Sequence, residues 1–367
     1  MSAEWPHKCT VSSLTKFQFI GNSMITLAMF NNKGGVGKTT LTCNVAAFLS
    51  ERMKKRVLIV DCDPQCNATQ LIMGEEYATN LYFSDHLKQP ISTISNILQP
   101  IEDGDSTISP EIVPIKSSEN RFRVDLIPGH PSFSIIEDRL GAAWHDLQGG
   151  DLGGIRKTNW NTFLREKIKD RYDFVLYDLG PSLGSINRSV LIGCDKFMTP
   201  MGTDIFSILG IRNISSWLAS WVDRYENGLA LCEKNSPDRL ASFGISKELS
   251  ITGGYVGYTM QQYITKSKGG VRRPTKAYEK IINNVPEEIA RSLNKYLSTD
   301  MNLNNLSLGD VPHLYSLIPL AQSVSCPLFQ LQGRDGIVGS QGKQRDQYEE
   351  ILGQICEHLV QNIGQGS

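Results

Sequence analysis

Two lysines, Lys33 and Lys38, bracket three glycines in the stretch Asn31–Thr40, NNKGGVGKTT. Gly34, Gly35 and Gly37 let the backbone turn tightly and aim its N–H groups inward. With the N-terminus of a following helix, those donors form a cradle for an anion. Lys38 stands where a lysine reaches terminal phosphates, and Thr39 stands where a hydroxyl binds Mg2+. The usual spelling of such a loop is Gly-x-x-x-x-Gly-Lys-Ser/Thr. Counting back from Gly37, its first glycine falls at position 32, which is Asn32. Either the site is damaged, or it uses the second lysine, Lys33.

Carboxylates recur downstream. In Val57–Gln70, VLIVDCDPQCNATQ, Asp61 and Asp63 follow an apolar run. In Tyr172–Gly184, YDFVLYDLGPSLG, Asp178 does the same. A carboxylate beside a phosphate is costly unless a metal or a lysine balances it. These acids therefore make sense with Lys38 and Mg2+ nearby. Taken alone, an Asp-x-Asp-Pro turn is a common strand ending. Charge is also concentrated in Thr265–Lys280, TKSKGGVRRPTKAYEK, where Lys266, Lys268, Arg272, Arg273, Lys276 and Lys280 face a single acid, Glu279. Such a run is ordinarily a solvated loop. As a site it would make salt-dependent contacts to a phosphate backbone.

The elements that must position these residues alternate. Short apolar runs at Met24–Asn31, Val57–Val60, Asp125–Ile127, Phe174–Tyr177, Lys196–Thr199, Ile251–Tyr258 and Leu314–Ile318 read as strands. Between them lie helical patterns, the first over Lys38–Arg52 with Leu41, Val45, Ala46 and Leu49 on one face. Alternation of this kind predicts an α/β fold: a doubly wound, mostly parallel sheet with helices on both faces. The chemistry-bearing residues fall at the carboxyl ends of strands, where open α/β sheets bind ligands. Residues 74–122, 227–249 and 297–311 read as insertions built of loops and short helices. A single domain over 24–367 is expected, with residues 1–23 as an arm or leader. A polar, amphipathic helix from about Lys343 to Ile363 closes the chain.

Bulk properties narrow the class. The 37 basic and 38 acidic residues nearly balance, so contact with nucleic acid must come from a local patch. Eight scattered cysteines without a secretory leader read as reduced thiols in the cytoplasm. Cys62 and Cys66 form a C-x3-C pair with no matching second pair, so they read as packing rather than as metal ligands. No apolar run reaches membrane-spanning length.

KGGVGKTT resembles the deviant Walker A motif of the ParA/MinD superfamily of P-loop ATPases, in which the early lysine is a signature. The resemblance implies that ATP and Mg2+ are bound by Gly34, Gly35, Val36, Gly37, Lys38, Thr39 and Thr40. It also implies that Lys33 reaches the phosphates held by the other subunit of a homodimer. The site is then intact, and its first glycine gives way to a lysine that serves a partner. DCDPQCNATQ resembles the family's DxDPQxNxT, which implies that Asp63 orients the attacking water and Asp61 supports the Mg2+ shell. YDFVLYDLGPSLG resembles the Walker B and switch II segment, with Asp178 as the Mg2+ partner. The family often reads D-x-P-P-S there, whereas this chain has Gly180 for the first proline. Tyr258 and Pro319 match the places that border the adenine.

In ParA proteins, basic residues in the region of Lys266, Lys268, Arg272, Arg273 and Lys276 contact DNA without reading sequence. The resemblance thus implies plasmid or chromosome partitioning with a ParB-like partner, and association with the nucleoid. The alternative is a regulatory adaptor that uses the same switch to recruit a neighbouring protein without DNA. A MinD-like membrane helix is not expected. The closing helix carries Glu349, Glu350 and Glu357 and lacks basic residues after Arg345.

Overall fold

A computed structural model describes residues 23–83, 91–263, 265–268, 271–274, 276–299 and 301–365, without the side chains of 205, 262–282 and 365. Its first half runs β1 (Ile25–Met29), α1 (Lys38–Glu51), β2 (Val57–Asp61), α2 (Asn67–Met73), α3 (Glu75–Phe83), α4 (Ile94–Glu102), β3 (Asp125–Ile127), α5 (Phe133–Gln148), α6 (Leu152–Thr158), α7 (Trp160–Ile168) and β4 (Phe174–Asp178). There follow α8 (Ser185–Gly193), β5 (Lys196–Gly202), α9 (Ile205–Asn235), α10 (Arg239–Ser242), β6 (Tyr255–Tyr263), β7 (Thr265–Lys268), β8 (Val271–Pro274), α11 (Lys276–Ser292), β9 (Ser307–Pro312), α12 (Leu317–Ser323) and α13 (Gln341–Gln365).

Seven parallel strands form one sheet in the order β3-β2-β4-β1-β5-β6-β9. The central strands β1, β2 and β4 are buried nearly end to end, as their unbroken Val, Ile and Leu runs require when helices cover both faces. One core lies on each face. One gathers Leu58, Val60, Phe133, Trp160 and Tyr177; the other gathers Leu27, Ile59, Leu49, Leu176 and Leu352. α13 closes the second core. Its Leu352, Ile355, Leu359 and Ile363 are fully buried. At roughly 1.5–3 kcal/mol per buried aliphatic side chain, that stripe commits the helix to the protein's own core. Among the described residues no helix is long and apolar enough to cross a membrane.

Four expectations need correction. Leu314–Ile318 is not a strand: the seventh strand is Ser307–Pro312, and Leu317–Ser323 is helical. The sequence SLGDVP hid it, because an edge strand buries only Leu308 and Val311 and so lacks a continuous apolar run. Residues 297–311 therefore supply part of the sheet rather than an insertion. The sixth strand starts later and runs further than Ile251–Tyr258. Residues 251–253 form a turn, with Gly253 at φ 82°, and pairing extends to Tyr263. Finally, residues 227–235 continue α9, whose 31 residues make it the longest described helix.

Candidate functional site

The site is built where the amide ends of helices meet the carboxyl ends of strands. β1 delivers the chain into the glycine loop, which Asn31 fastens from below. Its Nδ2 donates to the Pro200 carbonyl at 2.8 Å, and its Oδ1 accepts from the Lys33 amide at 3.0 Å. Gly35 and Gly37 adopt φ of 72° and 75°, left-handed values that only glycine takes without strain. Gly37 caps α1 with no side-chain hydrogen bond, and the first turn of α1 carries no acid. Its amides and dipole are thus left for an exogenous anion. Val36 turns its side chain into the core, so only its backbone faces the loop. Lys38 is buried, and its Nζ donates across the loop to the Lys33 carbonyl at 3.0 Å. Burial pulls its pKa down, while the Asp178 and Asp63 charges oppose that.

The carboxylates differ in what holds them. The sheet register sets Asp61 directly beside Asp178. Burial pushes both above the usual carboxylate range. The Asp61 charge adds to the rise at Asp178, whereas hydrogen bonds from Thr69 pull Asp61 back. Asp61 Oδ2 accepts from the Thr69 hydroxyl at 2.7 Å and the Thr69 amide at 2.8 Å, and Oδ1 accepts from the Asp63 amide at 3.2 Å. Thr69 in turn accepts from the Gly129 amide at 2.9 Å. Asp61, expected to support the Mg2+ shell, spends its hydrogen bonds as an anchor joining β2, α2 and the end of β3. Both oxygens of Asp178, by contrast, are buried with no hydrogen bond of normal geometry. The Thr39 hydroxyl lies near enough to favour the charged form but is not placed to donate to it. A buried, unpartnered carboxylate beside a threonine hydroxyl and the amide cradle fits a divalent cation that keeps phosphate and water ligands. Among the described residues no group of three His, Cys, Asp or Glu is arranged to hold a metal unaided.

Asp63 lines a cleft of about 670 Å3 together with Gly34, Gly35, Gly37, Lys38, Thr39, Thr40, Leu179 and Pro181. Its Oδ1 accepts from the Gln65 amide at 3.0 Å, and its Oδ2 accepts from Asn67 Nδ2 at 3.3 Å. Gly180 packs against it: a Cβ there would sit 3.2 Å from Asp63 Oδ1. Asn187 fixes the turn by donating to the carbonyls of Gly180 at 2.8 Å and Ser182 at 2.7 Å.

Lys33 stands at the rim. Its ammonium pairs with Asp204, the N-cap of α9, and the two side chains are 37% and 40% exposed. Nearby, α9 exposes Phe206 at 67% and Leu209 at 44%. Tyr258 and Pro319 do not line the cleft. Tyr258 is buried within the sheet, and Pro319 lies on the exposed side of α12. About one turn beyond Pro319, Gln322 and Ser323 form that wall. Asn187, Asp204, Gln322 and Ser323 have no role assigned from the sequence, and Thr69 has only its place as the last residue of DxDPQxNxT. That motif and Asp204, an acid opening a helix, are the local signals. The side chains of Lys266, Lys268, Arg272, Arg273, Lys276 and Lys280 lie outside the described residues. Their backbone forms the β7–β8 hairpin and the start of α11. The cysteines in the described residues are buried thiols, and burial raises Cys66 to about 12, which leaves it inert.

A strand, a glycine loop and a helix, with a lysine and an unpartnered carboxylate at the carboxyl edge of a parallel sheet, define a P-loop nucleotide-binding protein. A family model described as an AAA domain matches residues 24–231. The chain belongs to the ParA/MinD-type family of P-loop ATPases. It is 27% identical over 197 residues to the virulence plasmid ParA family protein pGP5-D of Chlamydia psittaci, covering 54% of this chain and 64% of that protein. It is 31% identical over 193 residues to the chromosome-partitioning ATPase Soj of Thermus thermophilus, covering 52% and 60%. The chain thus spans less than two thirds of the length of these relatives. Among solved structures it is similar to protein DIP2308 from Corynebacterium diphtheriae, with 37% identity, a TM-score of 0.67, and 82% of this chain and 97% of that one covered.

Proposed function

We propose that this chain is an ATP-dependent dimerising switch that hydrolyses ATP to ADP and phosphate in order to partition plasmid or chromosomal DNA. The observation that carries the reading is Lys33. It sits half-exposed at the rim, paired with an equally exposed Asp204, while Lys38 closes the cradle from within. A cation so placed is available to phosphates held by a second copy, in the manner of other trans-acting charges. The exposed Phe206 and Leu209 beside it are the apolar surface such a contact would cover.

In this reading the loop amides and Lys38 bind the phosphates of ATP. Thr39 and Asp178 would hold Mg2+, which when bound neutralises charge on the phosphate oxygens. Asp63 accepts a hydrogen bond from the water that attacks the terminal phosphorus. The bond to the bridging oxygen breaks, and ADP leaves. Switch II, packed against Asp63 through Gly180, senses the loss of that phosphate.

Two lines support DNA as cargo. Soj of Thermus thermophilus is named a chromosome-partitioning ATPase. In addition, the β7–β8 register sets Lys266 opposite Arg273. Like charges opposed across a hairpin are unfavourable without a counter-anion. The test is fluorescence anisotropy of random-sequence DNA with ADP or ATP at two salt concentrations, alongside phosphate release with and without DNA. ATP-dependent binding that weakens steeply with salt is expected. Phosphate release with no DNA binding in either state would replace partition with the adaptor role and send the search to a protein partner.

A further inference from the structure

Trp217 ties the two halves of the phosphate site together from behind. Its indole Nε1 donates to the Leu183 carbonyl at 3.1 Å, in the turn that follows Asp178. Its ring stacks on Phe30, with centroids 5.8 Å apart and planes 26° apart. Phe30 is fully buried, holds the Met198 carbonyl through its amide at 3.0 Å, and immediately precedes Asn31 of the glycine loop. One side chain thus touches the entry to the phosphate loop and the exit of switch II.

The rest of α9 makes the same connection. Its N-cap Asp204 pairs with Lys33. A Cβ at Gly210 would sit 3.3 Å from Asn32 Oδ1, so the helix runs close against the loop. On its outer side, Arg212 bonds Glu288 at 2.8 and 2.9 Å and Ser215 donates to the Ser292 carbonyl, fastening α9 to α11. Asn187 holds the start of the switch turn through Gly180 and Ser182, and Trp217 holds the next carbonyl along.

We propose that Trp217 is a positioning residue: it fixes the 178–184 turn relative to the phosphate loop, so that switch II and the loop are read together by α9. Its kinetic consequence rests on the ATPase reading above; its structural consequence does not. The indole N–H is the element that matters. The stack on Phe30 supplies the location, and the bond to Leu183 supplies the register. Loss of one neutral hydrogen bond, about 1 kcal/mol, corresponds to about a five-fold change in the opening equilibrium of the turn.

The test is Trp217→Phe, which keeps an aromatic ring on Phe30 and removes the donor together with part of the indole's area. Its fold is checked by circular dichroism and thermal melting. Amide hydrogen exchange is measured in the nucleotide-free full chain, and steady-state ATP hydrolysis is resolved into kcat and KM. Exchange at Leu183–Ile186 should rise about five-fold with α13 unchanged, and kcat should fall several-fold with KM within two-fold. Unchanged exchange in the turn, exchange that rises equally in α13, or an unchanged kcat overturns the proposal. A wild-type chain that hydrolyses no ATP, while Trp217→Phe still loosens the turn, overturns the ATPase reading and leaves the positioning role standing.

Discussion

Thr69→Val removes one oxygen and keeps the shape of a fully buried side chain. The hydroxyl it deletes does two things. It donates to Asp61 Oδ2 at 2.7 Å, and it accepts from the Gly129 amide at 2.9 Å. A hydrogen bond to a charged group contributes about 1.5–3 kcal/mol, and a buried amide left without an acceptor costs about 1–3 kcal/mol. The two losses share one atom and do not add in full, so about 3 kcal/mol is the expected destabilisation. With an unfolding entropy of about 2.1 cal/mol/K per residue over 367 residues, that corresponds to a fall in Tm of about 4 °C. The assay is thermal unfolding of the nucleotide-free protein, followed by circular dichroism. Thr69→Ser is the control: it keeps the hydroxyl and loses a buried methyl, worth about 1 kcal/mol. If the two variants melt together, or Thr69→Val melts with the wild type, Asp61 is not the anchor argued for here.

Three further outcomes follow from the site. Gly180→Ala pushes Asp63 aside by a few tenths of an ångström, so turnover should fall about 3- to 10-fold with ATP affinity within two-fold; an unchanged kcat would show that the turn gives way instead. Asp204→Asn keeps a good N-cap but frees Lys33. Exposed pairs contribute about 0–1 kcal/mol, so the melt should hold while the ATP concentration that half-dimerises the protein drops up to about five-fold; a higher midpoint would contradict the role given to Lys33. Glu288 is buried and held down to about 2, chiefly by the Arg212 hydrogen bond and then by Ser292 and Arg291, against burial. Because its folded pKa lies below its unfolded value of about 4.3, its contribution is full above that pH and is lost as pH falls toward 2. Glu288→Gln should therefore cost about 1–2 kcal/mol at pH 7, allowing for the half-exposed Arg212, and almost nothing near pH 2 in urea titrations.

What could be read in advance, and what could not, divides along physical lines. β1, β2 and β4 are buried on both faces, so their apolar runs stand out in MITLAMFN, VLIVD and FVLYD, the last two closed by an aspartate. Gly35 and Gly37 announce themselves because no other residue takes their backbone angles without strain. β9 sits at the edge with Gly309 and Pro312 inside it, and an edge strand needs only half its residues apolar. Pro319 was misplaced for the same reason: with the strand moved earlier, Gln322 and Ser323 reach the cleft and Pro319 does not. Tyr258 is buried in the sheet because β6 runs on past it to Tyr263. Asn187 and Trp217 act through partners 7 and 34 residues away, and such contacts leave no local spacing to read. Thr69 closes the DxDPQxNxT spacing, which marks the position but not its bonds to Asp61 and Gly129.

The central claim is that Lys33 serves a second copy of the chain. Light scattering of the wild type with ADP and with ATP, and of Asp63→Ala and Lys33→Ala with ATP, tests it directly. The account expects a monomer with ADP, a dimer with ATP that Asp63→Ala makes long-lived, and a monomer for Lys33→Ala even though it still binds ATP. A Lys33→Ala protein that dimerises as well as the wild type, or a wild type that stays monomeric with ATP, would contradict it.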